Sequence, residues 1–137
     1  LANLTDFVCG ILGIAAAKAM RARVIGSDID PIAVAKAREN VRVNGVSAFM
    51  RTYESRGLDA VMVRRHGPFG LVLANILARP LERLAPLIAA HRASGAPVIL
   101  SGLLRTQEPQ VIAAYRRAGL HLRARIHHDE WSTLICG

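Results

Sequence analysis

The sequence predicts an α/β fold, a three-layer sandwich built on a mostly parallel sheet and closed by a C-terminal antiparallel hairpin. Three observations carry this expectation. Apolar runs of strand length recur at Val24-Ile25-Gly26, Phe69 to Ala74 and Val98 to Leu100, and each is followed by a segment with helical spacing, the alternation of a parallel sheet with helices on both faces. The last segment changes to a period of two over Leu120 to His127, which marks a strand with one wet face. Finally, 137 residues with 52% hydrophobic types suit one compact domain, commonly of roughly 100–150 residues.

The elements follow in order. A first strand ends at Asp6-Phe7-Val8-Cys9-Gly10, and Ile11 to Met20, with Ala15, Ala16 and Ala17, forms a helix of small, strongly helix-forming residues. The second strand ends at Gly26-Ser27-Asp28-Ile29-Asp30. Asp30 is a good N-cap and Pro31 suits the first helical position, so a helix runs to about Val43, where Asn44-Gly45 stops it. A short strand is expected near Ala48 to Thr52, and a surface loop or short helix over Glu54 to Pro68.

Phe69 to Asn75 reads as a buried strand, and Leu77, Leu81, Leu84 and Ile88 fall on one face of the next helix, which Pro86 should kink. Pro97 to Leu100 is a further core strand, and Gln107 to Ala118 a helix closed by Gly119. Trp131 to Cys136 then pairs with the period-two strand across a turn at His128-Asp129.

Composition narrows the function classes. The aromatics are 3 Phe, 2 Tyr and 1 Trp, too few for a nucleic-acid surface of stacked rings. The net charge of +8 favours acidic surroundings, but its longest basic runs are the pairs Arg64-Arg65 and Arg116-Arg117, so a solvated basic surface is expected rather than dedicated nucleic-acid binding. The longest run free of Asp, Glu, Lys and Arg, His66 to Ala78, is short of the ~18 residues of a membrane span. Cys9 and Cys136, at opposite ends in apolar surroundings, fit a reducing compartment and show no zinc spacing. A cytoplasmic protein without membrane partner or metal is the expectation.

Candidate chemistry sits where strands end. In an open α/β sheet the ligand crevice lies at the carboxyl ends of the strands, and Cys9-Gly10, Asp28 and Asn75 are placed there. Asp28 lies eighteen residues after Gly10, where an acid can accept both hydroxyl hydrogens of a ribose; the alternative is an acid in a surface turn. Gly10 and Gly13 give only G-x-x-G, not the G-x-G-x-x-G that holds a pyrophosphate. A nucleoside ligand without phosphates suits the pattern, and S-adenosylmethionine is the candidate.

Several runs together carry a resemblance. They are Cys9-Gly10 with Ile14 to Lys18, Gly26-Ser27-Asp28-Ile29-Asp30-Pro31, Ala37-Arg38-Glu39-Asn40, Asn44-Gly45-Val46, Leu73 to Leu81, Leu100-Ser101-Gly102-Leu103-Leu104 and Glu130-Trp131. Through them nearly the whole chain resembles the catalytic domain of the PrmA family, whose members methylate large-subunit ribosomal protein eleven, and Ala74 to Leu81 is the most specific part. The resemblance implies a Rossmann-like class I methyltransferase that uses S-adenosylmethionine to methylate amino groups, lysine side chains and an N-terminal amine, of its ribosomal protein substrate. It further implies that Asp28 holds the ribose hydroxyls, that the loop Val8-Cys9-Gly10 passes under the methionine part, and that Asn75 contacts the cofactor near the reacting centre; the alternative for Asn75 is a polar residue tying down a strand end.

Asn75 is followed by Ile76, Leu77 and Ala78, with no ring on which a planar amide or base could stack. An aliphatic amine is therefore the expected acceptor. No general base is visible, and His66, His127 and His128 read as surface residues.

The chain also departs from the family pattern. Val8 stands at the first glycine of the family's loop, a Ser-Gly pair is missing after Gly10, and Gly70 stands where an acid is usual. A β-branched residue cannot match glycine's backbone range or its close approach to a ligand. Two alternatives stay open on this ground and on the charge: a non-catalytic relative with impaired cofactor binding, and an RNA methyltransferase. The chain reads as a single methyltransferase domain, 1–137, shortened at its N-terminus and lacking the family's substrate-recognition domain.

Overall fold

A computed structural model describes residues 5–9, 12–20, 23–28, 31–54, 65 and 67–137. In chain order the elements are β1 (Thr5–Cys9), α1 (Leu12–Met20), β2 (Arg23–Asp28), α2 (Pro31–Val43), β3 (Met50–Glu54), β4 (Phe69–Asn75), α3 (Ala78–His91), β5 (Val98–Leu104), a 3-10 turn (Arg105–Gln107), α4 (Glu108–Arg117), β6 (Leu122–His128) and β7 (Trp131–Cys136). Among the described residues the seven strands form one sheet in the order β3-β2-β1-β4-β5-β7-β6. The first five are parallel, and β7 runs antiparallel to both β5 and β6. The expected Rossmann-like sandwich with a C-terminal hairpin is the fold observed.

Among the described residues two apolar clusters flank this sheet. On one side Ile14 and Ala17 of α1 and Val41 of α2 pack on Val24 and Met50. On the other, Leu81, Ala85 and Ile88 of α3 and Val111 and Tyr115 of α4 pack on Phe69, Val72, Leu100 and Leu134. Tyr115 is the largest fully buried side chain, and its hydroxyl donates to the Leu81 carbonyl at 2.9 Å, tying α4 to α3. Tyr115→Phe is expected to lose about 1 kcal/mol and to lower Tm by a few degrees, which calorimetry checks.

Several expectations shift in detail. The third strand begins at Met50, not Ala48, because Val46 to Phe49 form a turn in which the amides of Phe49 and Met50 both donate to Val46 O at 2.9 Å. Most of the stretch Glu54 to Pro68, like Asp30 and His66, lies outside the described residues. Leu77 does not join the buried stripe of α3: it precedes the helix in extended backbone, outside the 3.6-residue period, and is 72% exposed. Its place is taken by Ala78 and Ala85, with Leu81 and Ile88. The helix continues through Pro86, which is exposed.

The fifth strand runs beyond Leu100 to Leu104, and α4 starts only after the 3-10 turn, where Gln107 Oε1 accepts from the Leu104 amide at 2.8 Å. Gly119 closes α4 at φ +87°, with Leu120 N donating back to Tyr115 O at 2.9 Å, a left-handed C-terminal stop that favours glycine.

The period-two strand corrects the expectation of one dry face. From Arg123 to His128 every residue of β6 is exposed, Ala124 and Ile126 included. The reason is position: among the described residues β6 is the outermost strand, bonded to β7 alone, and no described layer buries its apolar half.

Candidate functional site at the carboxyl ends of the parallel strands

The register of the parallel strands decides which residues can meet. Val8 lies beside Gly26 and Leu73, Cys9 beside Ser27, Asp28 beside Glu54, and Asn75 beside Ser101. The ends of β1, β2, β4 and β5 therefore share one edge of the sheet, with Cys9, Asp28 and Asn75 along it. Gly10 lies outside the described residues.

A cleft of about 540 Å³ opens at this edge, lined by Asn75, Ile76, Leu77, Ser101, Gly102, Trp131, Ser132 and Thr133. Its volume is in the range of small-molecule sites, roughly 300–1,000 Å³. Ser101 Oγ donates to Asn75 Oδ1 at 3.0 Å. That bond fixes the carboxamide plane and leaves the Asn75 NH2 with no partner among the described residues. Leu77 and Trp131, both substantially exposed, give the cleft apolar walls.

Gly102 determines how closely these pieces approach. The pairing of β5 with β7 slips between Leu100 and Leu103, so that Gly102 sits in a bulge at φ +85°. A Cβ there would lie 2.7 Å from Ile76 O and 2.9 Å from Asn75 Oδ1. Only glycine lets β5 meet the end of β4 at this distance.

Behind the cleft a carboxylate is buried. Glu108, the first residue of α4 and 5% exposed, accepts from Ser132 Oγ at 2.6 Å and from Arg125 at 3.1 Å, and is bonded to His127 Nε2. Burial alone would raise its pKa, but hydrogen bonds from Ser132 and His127 and the charges of His127 and Arg125 together hold the carboxyl below its ordinary value. His127 is thus not a plain surface residue, because Glu108 faces it. His128 is largely exposed and lies 3.8 Å from Asp129. Cys136 is buried, which pushes its thiol pKa up and leaves it a poor nucleophile.

Sequence reasoning singled out Asn75 but assigned no role to Ser101, Gly102, Glu108 or Ser132. The one signal for Gly102 was a glycine following the apolar run Val98-Ile99-Leu100, which marks a bulge or a close approach. Among the described residues no helix is long and apolar enough to cross a membrane.

Comparison with known proteins gives the chain a context. A sequence model of the family described as "Ribosomal protein L11 methyltransferase (PrmA)" matches residues 3–136. A ribosomal protein L11 methyltransferase of Bradyrhizobium diazoefficiens is 52% identical over 126 residues, covering 92% of this chain and 43% of the relative. One of Rhodopseudomonas palustris is 48% identical, again covering 92% and 43%. The chain thus spans less than half the length of these relatives. Among solved structures, a ribosomal protein L11 methylase from Lactobacillus delbrueckii subsp. bulgaricus superposes with a TM-score of 0.87 at 28% identity, covering 98% of this chain and 69% of that one. An RNA methyltransferase from Salinibacter ruber in complex with S-adenosyl-L-homocysteine shares the fold, with a TM-score of 0.72 at 20% identity over 96% of this chain and 78% of that one.

Proposed function

The chain belongs to the ribosomal protein L11 methyltransferase family, and from that premise we propose that it forms the catalytic domain of an S-adenosylmethionine-dependent protein methyltransferase. Its acceptors are amino groups, lysine side chains and an N-terminal amine, of a large-subunit ribosomal protein. The observation that carries this reading is the cleft around Asn75, held by Ser101 and Gly102 on the same sheet edge as Asp28. The name of the Salinibacter ruber structure, which includes the demethylated cofactor, agrees with the choice of cofactor.

The polar residues that the parallel strands bring to one edge, Asp28 and Asn75, support that cofactor, while Val8 in place of a loop glycine does not. In this reading Asp28, at the end of β2, would hold the ribose diol, the loop Val8-Cys9-Gly10 would pass under the methionine part, and the open cleft beyond Asn75 would take the acceptor. S-adenosylmethionine brings a methyl group already activated on a sulfonium, so the protein's task is alignment and desolvation. Ile76 and Leu77 offer an apolar surface to the aliphatic stem of a lysine, and Trp131, distant in sequence, brings to the cleft the ring that the residues after Asn75 lack, a face that can hold the amino group. Asn75, its carbonyl oxygen held by Ser101, keeps a second lone pair to orient the amine hydrogens.

Equilibrium dialysis against labelled S-adenosylmethionine tests the reading. Saturable binding is expected, weakened about tenfold or more by Asp28→Ala through loss of charge-assisted hydrogen bonds. No binding at millimolar cofactor would leave the chain a non-catalytic relative, and an unchanged Asp28→Ala variant would remove the ribose assignment.

A further inference from the structure

The wall that β7 gives to the cleft around Asn75 contains a polar group with no role so far. The pairing of β5 with β7 passes from Leu100 opposite Leu134 to Leu103 opposite Ser132, so Ser101 and Gly102 together face a single residue, Thr133. Leu134 belongs to the apolar cluster that holds Val111 and Tyr115 of α4, and Ser132 is bonded to Glu108 on that same side. Thr133, between them, stands on the opposite face, and there it lines the cleft with Asn75 and Ser101. Asn75 is in register with Ser101. The bulge at Gly102 thus puts three polar side chains side by side on the adjacent strands β4, β5 and β7.

Two of these groups offer lone pairs to a ligand. Ser101 donates its one hydroxyl hydrogen to Asn75 Oδ1 at 3.0 Å, so toward a ligand Ser101 Oγ acts as an acceptor. Thr133 Oγ1 has no hydrogen-bond partner among the described residues. The only buried and unpartnered side-chain oxygen or nitrogen among those residues is Oγ1 of Thr52. The half-buried Thr133 therefore keeps its own oxygen accessible. No charged residue lines the cleft, and Ile76, Leu77 and Trp131 form its apolar part. A ligand with an apolar stem and more than one donor hydrogen on its end atom matches that lining. An alcohol carries one such hydrogen and a carboxylate none.

We propose that Thr133 is an acceptor-binding residue that sets the cleft's preference for a primary amine, its hydroxyl oxygen and that of Ser101 accepting hydrogens from the incoming nitrogen. The assignment rests on the reading of this cleft as the acceptor site of a methyltransferase. Each methyl group on the nitrogen takes the place of a hydrogen that these oxygens hold, so the cleft distinguishes an unmodified amine from its methylated forms. Leu77 and Ile76 cover the stem in either case and contribute nothing to that distinction.

Titration of the chain with n-butylamine and with N,N-dimethylbutylamine at one pH and ionic strength tests the proposal. Trp131 is the chain's only tryptophan and lines the cleft, so its fluorescence reports binding at this place. The parent is expected to hold the primary amine about tenfold more tightly than the dimethylated one, and Thr133→Val to bring the two within about threefold. Tm and the binding of S-adenosylmethionine in dialysis should stay parental in that variant, because valine keeps the branched shape and the hydroxyl removed had no partner in the fold. Thr133→Ser keeps the hydroxyl and should keep the preference. A parent that does not prefer the primary amine, or a preference that Thr133→Val leaves intact, would overturn the proposal. The expected preference in a chain that binds no S-adenosylmethionine would leave the Thr133 assignment standing and remove the methyltransferase reading. Cofactor binding without the preference would do the reverse.

Discussion

Gly102→Val is expected to destabilise the chain by about 3 kcal/mol or more and to deform the cleft around Asn75. Two costs act together. A β-branched residue at φ +85° occupies left-handed backbone at a cost of order 1–3 kcal/mol. The new Cβ also lands 2.7 Å from Ile76 O and 2.9 Å from Asn75 Oδ1, and the first of these is backbone that cannot swing aside. Relief requires β5 to move away from the end of β4, which breaks the Ser101–Asn75 hydrogen bond. Gly102→Ala meets the same atoms with a smaller group and should fall between the variant and the parent. Urea unfolding reads the stability, and dialysis with S-adenosylmethionine reads the cleft. A Gly102→Val protein with parental stability would show that the bulge is not held by this close approach.

The case of Gly102 marks where the sequence stops being legible. β4 and β7 coincide with the expected Phe69 to Asn75 and Trp131 to Cys136, because each is a run with strand composition bounded by turn residues, and local pattern suffices. The start of α2 at Pro31 is local in the same way. Parallel alternation then implies that Cys9, Asp28 and Asn75 share a sheet edge, and the register places them there. What local pattern cannot supply is the identity of the neighbour. A glycine after Leu100 announces a bulge but not that Ile76, twenty-six residues earlier, is the backbone it must admit. Leu77 fitted a helical stripe by spacing, yet the helix begins one residue later and the side chain turns to the cleft instead. His127 read as a surface residue because its partner, Glu108, is nineteen residues away on another element.

Glu108 carries the other large effect. In the sequence it is an acid just before Pro109, at the start of a helix whose dipole favours negative charge. In the fold it is also the point where α4, β6 and β7 are joined, through Ser132, His127 and Arg125. Glu108→Ala is expected to cost about 2–3 kcal/mol, near the lower end for a broken buried pair, since Arg125 and His127 can regain water while Ser132 Oγ is left buried and unpaired. Because Trp131, Ser132 and Thr133 line the cleft, the same variant should weaken cofactor or acceptor binding without touching Asp28 or Asn75. Glu108→Gln keeps the shape and the bond from Ser132 and should lose less. The two separate further in acid. The folded carboxyl lies below its ordinary value, so its contribution is complete above the unfolded pKa of about 4.3 and disappears as pH falls from there through the lower folded value. Parental stability should therefore converge on that of Glu108→Gln over that acid interval and exceed it at neutral pH. Urea unfolding of both proteins across the interval checks the sign, and a constant gap between them would mean that the Glu108 charge is not what holds the hairpin to α4.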